Sequence, residues 1–124
     1  MEITIIDKSA LTGEKMNYNS IIFKICPCKI DKSDNNLDLS TAIVTVVKGG
    51  AIKVLLDFKN VEFIDSRGIG IIINSAKHLR ATKGDLVLIN VTGRVSKIFD
   101  TLNLSRMLQV FETESEALHH LKFI

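Results

Sequence analysis

Apolar residues fall in short blocks along the chain, and their spacing switches between the two-residue period of a strand and the 3.6-residue period of a helix. Glu2 to Ile6 (EITII) predicts a short strand, and Leu11 to Asn17, with Gly13 among polar residues, predicts a turn. Ser20 to Cys26 (SIIFKIC) is apolar and β-branched, as a buried strand is. Pro27 lacks an N–H donor and should end or bulge that ladder. Lys29 to Asn36 is polar and predicts an exposed loop. From Leu37 to Lys48, the residues Leu39, Ala42, Ile43 and Val46 recur at helical spacing, and Gly49-Gly50 supplies the stop.

Lys53 to Phe58 (KVLLDF) is nearly continuous in apolar character, the mark of a strand covered on both faces. A short turn and Val61 to Ile64 lead to Asp65-Ser66, where a helix should begin and run to about Thr82. Ile69, Ile72, Ile73, Ala76 and Leu79 mark its inner face. Lys77, Arg80 and Lys83 gather towards its end, where positive charge suits the helix dipole, and Gly84 stops it. Leu86 to Val91 (LVLINV) predicts another buried strand. Thr92 is placed to cap a helix over Gly93 to Leu102, with Val95, Ile98, Phe99 and Leu102 inward. Met107 to Phe111 predicts a last strand. Thr113 and Glu116 form a capping box ahead of a final helix to about Lys122, packed through Ala117, Leu118 and Leu121.

Strands alternating with helices imply a mostly parallel sheet with right-handed crossovers. The predicted fold is therefore α/β, with four to five strands and Glu2 to Ile6 added as an antiparallel edge strand. No repeat, linker or low-complexity segment divides the chain, so residues 1–124 are expected to form one domain.

Composition narrows the class of function. Of the 124 residues, 46% are hydrophobic and 24% charged, which excludes a disordered chain. Sixteen basic residues against 14 acidic ones leave a formal charge of +2, too even for a nucleic-acid or anionic-membrane partner. No apolar run approaches the ~20 residues that cross a bilayer, so no membrane insertion is expected. The N-terminus lacks the basic stretch and apolar run of a signal peptide. Cys26 and Cys28 are too few for a disulfide framework, and a CxC pair without further soft ligands makes a poor zinc site. A reduced, cytoplasmic compartment is the economical expectation.

Few residues offer chemistry. The phosphate-loop pattern GxxxxGK[ST] is absent, and the third glycine of a dinucleotide fingerprint starting at Gly68 is replaced by Ile73. His119 and His120 are adjacent, about 100° apart on a helix, and cannot hold one metal as an i,i+4 pair does. Neither metal nor cofactor is expected, and no nucleophile–base pair suggests an enzyme. What remains is Phe63-Ile64-Asp65-Ser66-Arg67-Gly68-Ile69-Gly70, an acid and a hydroxyl where a strand-like run gives way to a helix. Asp and Ser cap helices whatever the protein does. The same place is also where open α/β sheets hold ligands and where a phosphate is electrostatically tolerated.

On these residues the chain resembles the STAS domain family, of the anti-sigma factor antagonist type. VLLDFKNVEFIDSRGIGIII (Val54 to Ile73) matches the family's strand ending in Asp, a turn, and [FY]-[MIL]-D-S-[ST]-G-[LI]-G opening a helix. KGDLVLINV, VSKIFDTLNL (Val95 to Leu104) and VFETESEAL (Val110 to Leu118) resemble later family segments. The resemblance covers about residues 17–121. There are two departures. The family's G-x-[LF]-D after the second strand is Cys28-Lys29-Ile30-Asp31 in this chain, keeping the acid and losing the glycine. The motif's second hydroxyl is Arg67.

The resemblance implies a partner switch. The unmodified antagonist binds an anti-sigma factor that is also a serine kinase, and so frees a sigma factor. Phosphorylation of the motif's first hydroxyl, Ser66, breaks the interaction, and a PP2C-type serine phosphatase restores it. Because strand carboxyl ends of a parallel sheet gather on one edge, the partner is expected to contact Asp31, Asp65, Ser66, Arg67, Gly68, Ile69, Gly70 and, on the following helix, exposed positions such as Asn74, Lys77 and His78. The family also includes accessory subunits of lipid-transport ABC systems and parts of sensory complexes that do without phosphoswitching.

Overall fold

A computed structural model of the chain describes residues 2–6, 21–27 and 37–124. The predicted turn over 11–17, the loop over 29–36, Ser20, Cys28 and Asp31 lie outside the described residues. The strands are β1 (Glu2–Ile5), β2 (Ile22–Cys26), β3 (Lys53–Asp57), β4 (Asp85–Ile89) and β5 (Gln109–Phe111). The helices are α1 (Leu37–Lys48), α2 (Ser66–Ala81), α3 (Gly93–Thr101) and α4 (Glu114–Lys122). The five strands form one sheet in the order β1-β2-β3-β4-β5. β1 runs antiparallel to β2, with Glu2 opposite Cys26, and the remaining neighbours are parallel. The predicted mostly parallel α/β sheet and its antiparallel edge strand are thus as observed.

Every residue of β3 is buried, which places it in the middle of the sheet between β2 and β4. Alternation along the strand divides its side chains between two cores. Val54 and Leu56 join the larger core beneath α1, α2 and α3, with Ile25, Leu39, Ile43, Ile72, Leu79 and Phe99. Leu55 joins the smaller one beneath α4, with Ile22, Val87, Ile89, Ala117 and Leu121. Burying each such aliphatic side chain contributes roughly 1.5–3 kcal/mol.

Several element ends differ from expectation for local reasons. The strand expected from Met107 begins only at Gln109. A 3-10 turn over Leu104–Arg106 precedes it, and the Met107 and Leu108 N–H groups both donate to Leu104 O. The strand expected to reach Val91 ends at Ile89, because Asn90 turns the chain with a φ of 59°. Leu102, expected inward, is 53% exposed. It is the C-cap of α3, and the following Asn103 is left-handed, so the helix ends before this side chain meets the sheet. Ile98, also expected inward, is only half-buried against the larger core. Thr92 occupies the N-cap position of α3 without a side-chain hydrogen bond. Thr113 caps α4 as expected: the Glu116 N–H donates to Thr113 Oγ1 at 3.2 Å, while Glu116 Oε1 accepts from the Thr113 hydroxyl at 3.0 Å and not from its backbone N–H, so only half of the capping box forms.

Gly84 follows α2 as expected, but the left-handed residue there is Lys83, with a φ of 66°. Gly84 is required for a different reason. A Cβ at this position would sit 1.8 Å from Ile52 O, a backbone atom that cannot move aside. Gly84→Ala is therefore expected to cost at least about 1–3 kcal/mol, the range of overpacking penalties. Urea denaturation of the variant against the parent checks this, and an unchanged midpoint would contradict the close approach.

Candidate functional site

Parallel strands bring the carboxyl ends of β2, β3, β4 and β5 to one edge of the sheet, with the connections into α2, α3 and α4 clustered around it. Asp57, the last residue of β3, is 2% exposed and needs partners for its oxygens. Oδ1 accepts the Lys59 backbone N–H at 3.0 Å and Asn90 Nδ2 at 2.9 Å. Oδ2 lies 3.7 Å from Lys24 Nζ and 3.9 Å from Lys59 Nζ. Lys24 also pairs with Glu114 Oε1 at 2.6 Å, in the first turn of α4. The hydrogen bond to Glu114 pushes the Lys24 ammonium above its ordinary range, against an opposing effect of burial. Asn60 Nδ2 donates to Pro27 O at 3.2 Å, joining the β3–α2 connection to the end of β2. One carboxylate and two amides thus lock three strand ends together. Sequence reasoning missed this lattice, although a charge closing an otherwise apolar run was a visible signal.

The connection into α2 rests on Phe58, Val61 and Ile64, all buried. Phe58 meets Phe99 edge to face, with ring centroids 6.4 Å apart. This apolar anchoring fixes where α2 starts. The N-cap is Asp65, in extended conformation, and its Oδ1 accepts the Gly68 N–H at 2.8 Å. Ser66 is the first helical residue, exposed, and takes no part in that cap. Arg67 is 73% exposed and its Nη2 lies 4.0 Å from Asp65 Oδ2.

Along α2 the buried residues are Gly68, Ile72, Ser75, Ala76 and Leu79. Ile69 and Ile73, expected on the inner face, are half-buried at its flank. At about 100° per residue, Ser66, Gly70 and Lys77 fall within about 40° of one another on the outer side. Asn74 and His78 are exposed beside that row. The structure therefore gathers Asp65, Ser66, Arg67, Gly70, Asn74, Lys77 and His78 along one solvent-facing strip of α2, with Gly68 beneath it. Lys77 stands about 16 Å from Ser66 along the axis, at 1.5 Å per residue. Gly70 is open on this strip: a Cβ there would meet nothing within 4 Å among the described residues.

Among the described residues no group of three or more His, Cys, Asp or Glu side chains is arranged to hold a metal, and no helix is long and apolar enough to cross a membrane. His120 instead pairs with Asp85, Nε2 to Oδ2 at 2.9 Å.

The STAS domain family model matches residues 32–117. The chain belongs to the STAS domain family. It is 34% identical over 73 residues to the TM1081 homologue of Thermotoga neapolitana, covering 59% of this chain and 65% of that protein. It is 30% identical over 70 residues to the anti-sigma-B factor antagonist of Listeria monocytogenes, covering 56% of this chain and 60% of that one. The matches thus span less than two thirds of these relatives' length. The fold is shared with the anti-sigma factor antagonist SpoIIAA in its unphosphorylated form, at a TM-score of 0.61 and 19% identity, over 99% of this chain and 98% of that one. It is shared with the phosphorylated form of the Bacillus protein at 0.56 and 19%, over 96% and 98%.

The division of labour at the start of α2 gives a direct test. Asp65→Ala removes the cap and should cost about 0.5–2 kcal/mol. Ser66→Ala should change stability by less than about 0.5 kcal/mol, as for an exposed substitution outside such features. Thermal or urea unfolding of the two variants distinguishes them, and equal losses would mean that the serine shares the capping.

Proposed function

We propose that this chain is an anti-sigma factor antagonist. In its unmodified state it binds an anti-sigma factor that is also a serine kinase, and phosphorylation of Ser66 ends the binding until a PP2C-type phosphatase reverses it. In this reading the chain is a binding module and a kinase substrate, not a catalyst. The observation that carries it is the separation of roles at the start of α2. Asp65 closes the helix, leaving the neighbouring Ser66 hydroxyl exposed and dispensable to the fold. The names of the relatives and the two phosphorylation states of SpoIIAA support the same reading.

The electrostatics agree. A phosphate brings about −1.5 to −2 charge at pH 7. At the first position of α2 the backbone dipole tolerates it, so the fold persists. Beside the Asp65 carboxylate, however, it concentrates negative charge on the strip that a partner must desolvate. Arg67 takes up part of that charge by pairing with the phosphate. Asp65, Arg67, Ile69, Gly70, Asn74, Lys77 and His78 form the contact surface together with Asp31, with the buried Gly68 beneath it.

Incubation with the candidate kinase and ATP, followed by mass spectrometry, should place the phosphate on Ser66 alone. Ser66→Ala should accept none and bind constitutively, while Ser66→Asp should weaken binding only partly, carrying one charge instead of nearly two. Arg67→Ser restores the family's hydroxyl and tests whether Arg67 sets the kinase preference. Phosphate on another residue, or undiminished binding by the phosphorylated chain, would reject the switch. An unphosphorylated chain under all conditions would favour the accessory role known among STAS domains.

Gly70 provides a second test. A helix-interior glycine costs about 0.5–1 kcal/mol relative to alanine, and nothing among the described residues requires it. A partner lying close against α2 does require it. Gly70→Ala should therefore raise stability by about that amount while weakening partner binding, measured by calorimetry on both counts. Gain of stability with unchanged affinity would remove Gly70 from the surface.

A further inference from the structure

The formal charge of +2 belongs to the whole chain, and its two edges do not share it evenly. Parallel strands place the starts of β3, β4 and β5 on the edge opposite Ser66, and the four helices end there. Hydrogen bonds draw these ends together. The Asp85 N–H donates to Ile52 O at 2.9 Å, joining the turns that enter β3 and β4. Arg80 Nη1 donates to Met107 O at 2.7 Å, adding the turn before β5. His120 Nε2 lies 2.9 Å from Asp85 Oδ2, adding the end of α4.

This edge is basic. Lys48 and Lys122 close α1 and α4, Lys83 follows α2, and Arg106 ends the 3-10 turn before β5. All four are exposed, and none forms an ion pair with a described residue. The acids described at this edge are Asp85 and Asp100. Asp85 is 5% exposed and already paired with Arg80 and His120, both at 2.9 Å. Asp100, near the end of α3, is exposed. At the Ser66 edge the balance is reversed: Glu2, Asp38, Glu62 and Glu112 are exposed against Lys59, Arg67 and Arg94. A chain of nearly even charge is thus polarised from one edge to the other.

Five large apolar side chains are exposed among the described residues, and three of them, Leu102, Phe123 and Ile124, stand at the basic edge. Phe123 is 76% exposed, its ring 4.8 Å from that of His119 between centroids. Helix dipoles account for cations in the last turns of α1 and α4. They do not account for apolar side chains held in water beside those cations. An anionic bilayer accounts for both, because its headgroups attract the cations and its headgroup–acyl boundary takes up apolar tips. A nucleic acid matches the cations and stacks on an aromatic ring, but it has no counterpart for Leu102 and Ile124. We propose that the basic edge docks on the surface of an anionic lipid bilayer, with Phe123 and Ile124 at the acyl boundary. The contact is peripheral, since no described helix is long and apolar enough to cross a membrane. Docking in this way leaves the Ser66 edge facing away from the lipid, so it does not depend on the proposed partner switch.

Co-sedimentation of the full chain with vesicles tests this. The chain should bind vesicles of phosphatidylglycerol and phosphatidylcholine in equal parts, leave phosphatidylcholine vesicles unbound, and dissociate as salt is added. Lys83→Glu combined with Lys122→Glu should weaken binding at least about tenfold. Phe123→Ser should weaken it as well, while Ser66→Ala should leave it unchanged, which separates this outcome from that of the switch. All these positions are exposed, and circular dichroism verifies that each variant is folded. Equal binding to both kinds of vesicle, binding to neither, or charge reversals without effect would each overturn the proposal. Capture of a single-stranded oligonucleotide in place of the anionic vesicles would also overturn it, and would assign the edge to nucleic acid.

Discussion

The burial of β3 on both faces is the constraint from which the rest follows. A strand with Val54 and Leu56 on one side and Leu55 on the other has no stable place except the middle of a sheet with helices on both faces. Parallel neighbours on either side then bring the strand carboxyl ends to one edge. The larger core, under α1, α2 and α3, sets the angle at which α2 leaves that edge. The smaller core, under α4, closes the opposite face with far fewer of the described residues and is reinforced by polar ties at each end of the helix. Glu114 reaches Lys24 at one end, and His120 reaches Asp85 at the other.

This constraint also explains the polar lattice at the edge. A strand buried to its last residue delivers Asp57 into an apolar setting, where an unpaired carboxylate is costly. Its hydrogen bonds to Lys59 and Asn90 recover that cost, and they also fix the turns that flank the start of α2. The result is a rigid platform from which Asp65 caps the helix and Ser66 faces solvent. The cap and the exposed hydroxyl fall on adjacent residues, so the modification proposed for Ser66 would leave the Asp65 cap in place.

Much of this was legible in the sequence because each signal had a single local cause. KVLLDF could only be an internal strand, and Thr113 to Glu116 could only begin a helix. The D-S-x-G segment marked the start of α2. What sequence reading could not supply was the sharing of work between neighbours. Asp65 and Ser66 both suit an N-cap, and only the hydrogen bond to Gly68 assigns the role. Leu102 carried the helical period one position too far, since periodicity does not register that the helix ends before the sheet does. Gly84 read as a helix stop, whereas its need comes from Ile52, far away in sequence. Asp57 with Asn90, and Asn60 with Pro27, are contacts between residues 33 positions apart, beyond any local pattern.

The strip along α2 combines an exposed serine, a glycine that nothing among the described residues demands, and basic side chains at both ends. Such a surface is suited to a partner that approaches closely and is repelled when the serine gains charge. The most direct measurement of this account is displacement. A preformed complex of the candidate anti-sigma factor with its sigma factor is titrated with the unmodified chain and, separately, with the chain phosphorylated on Ser66, while free sigma factor is followed by fluorescence anisotropy. The account predicts release of the sigma factor by the unmodified chain and none by the phosphorylated one. A complex that stays intact at saturating unmodified chain, or that both forms dissociate equally, would contradict it.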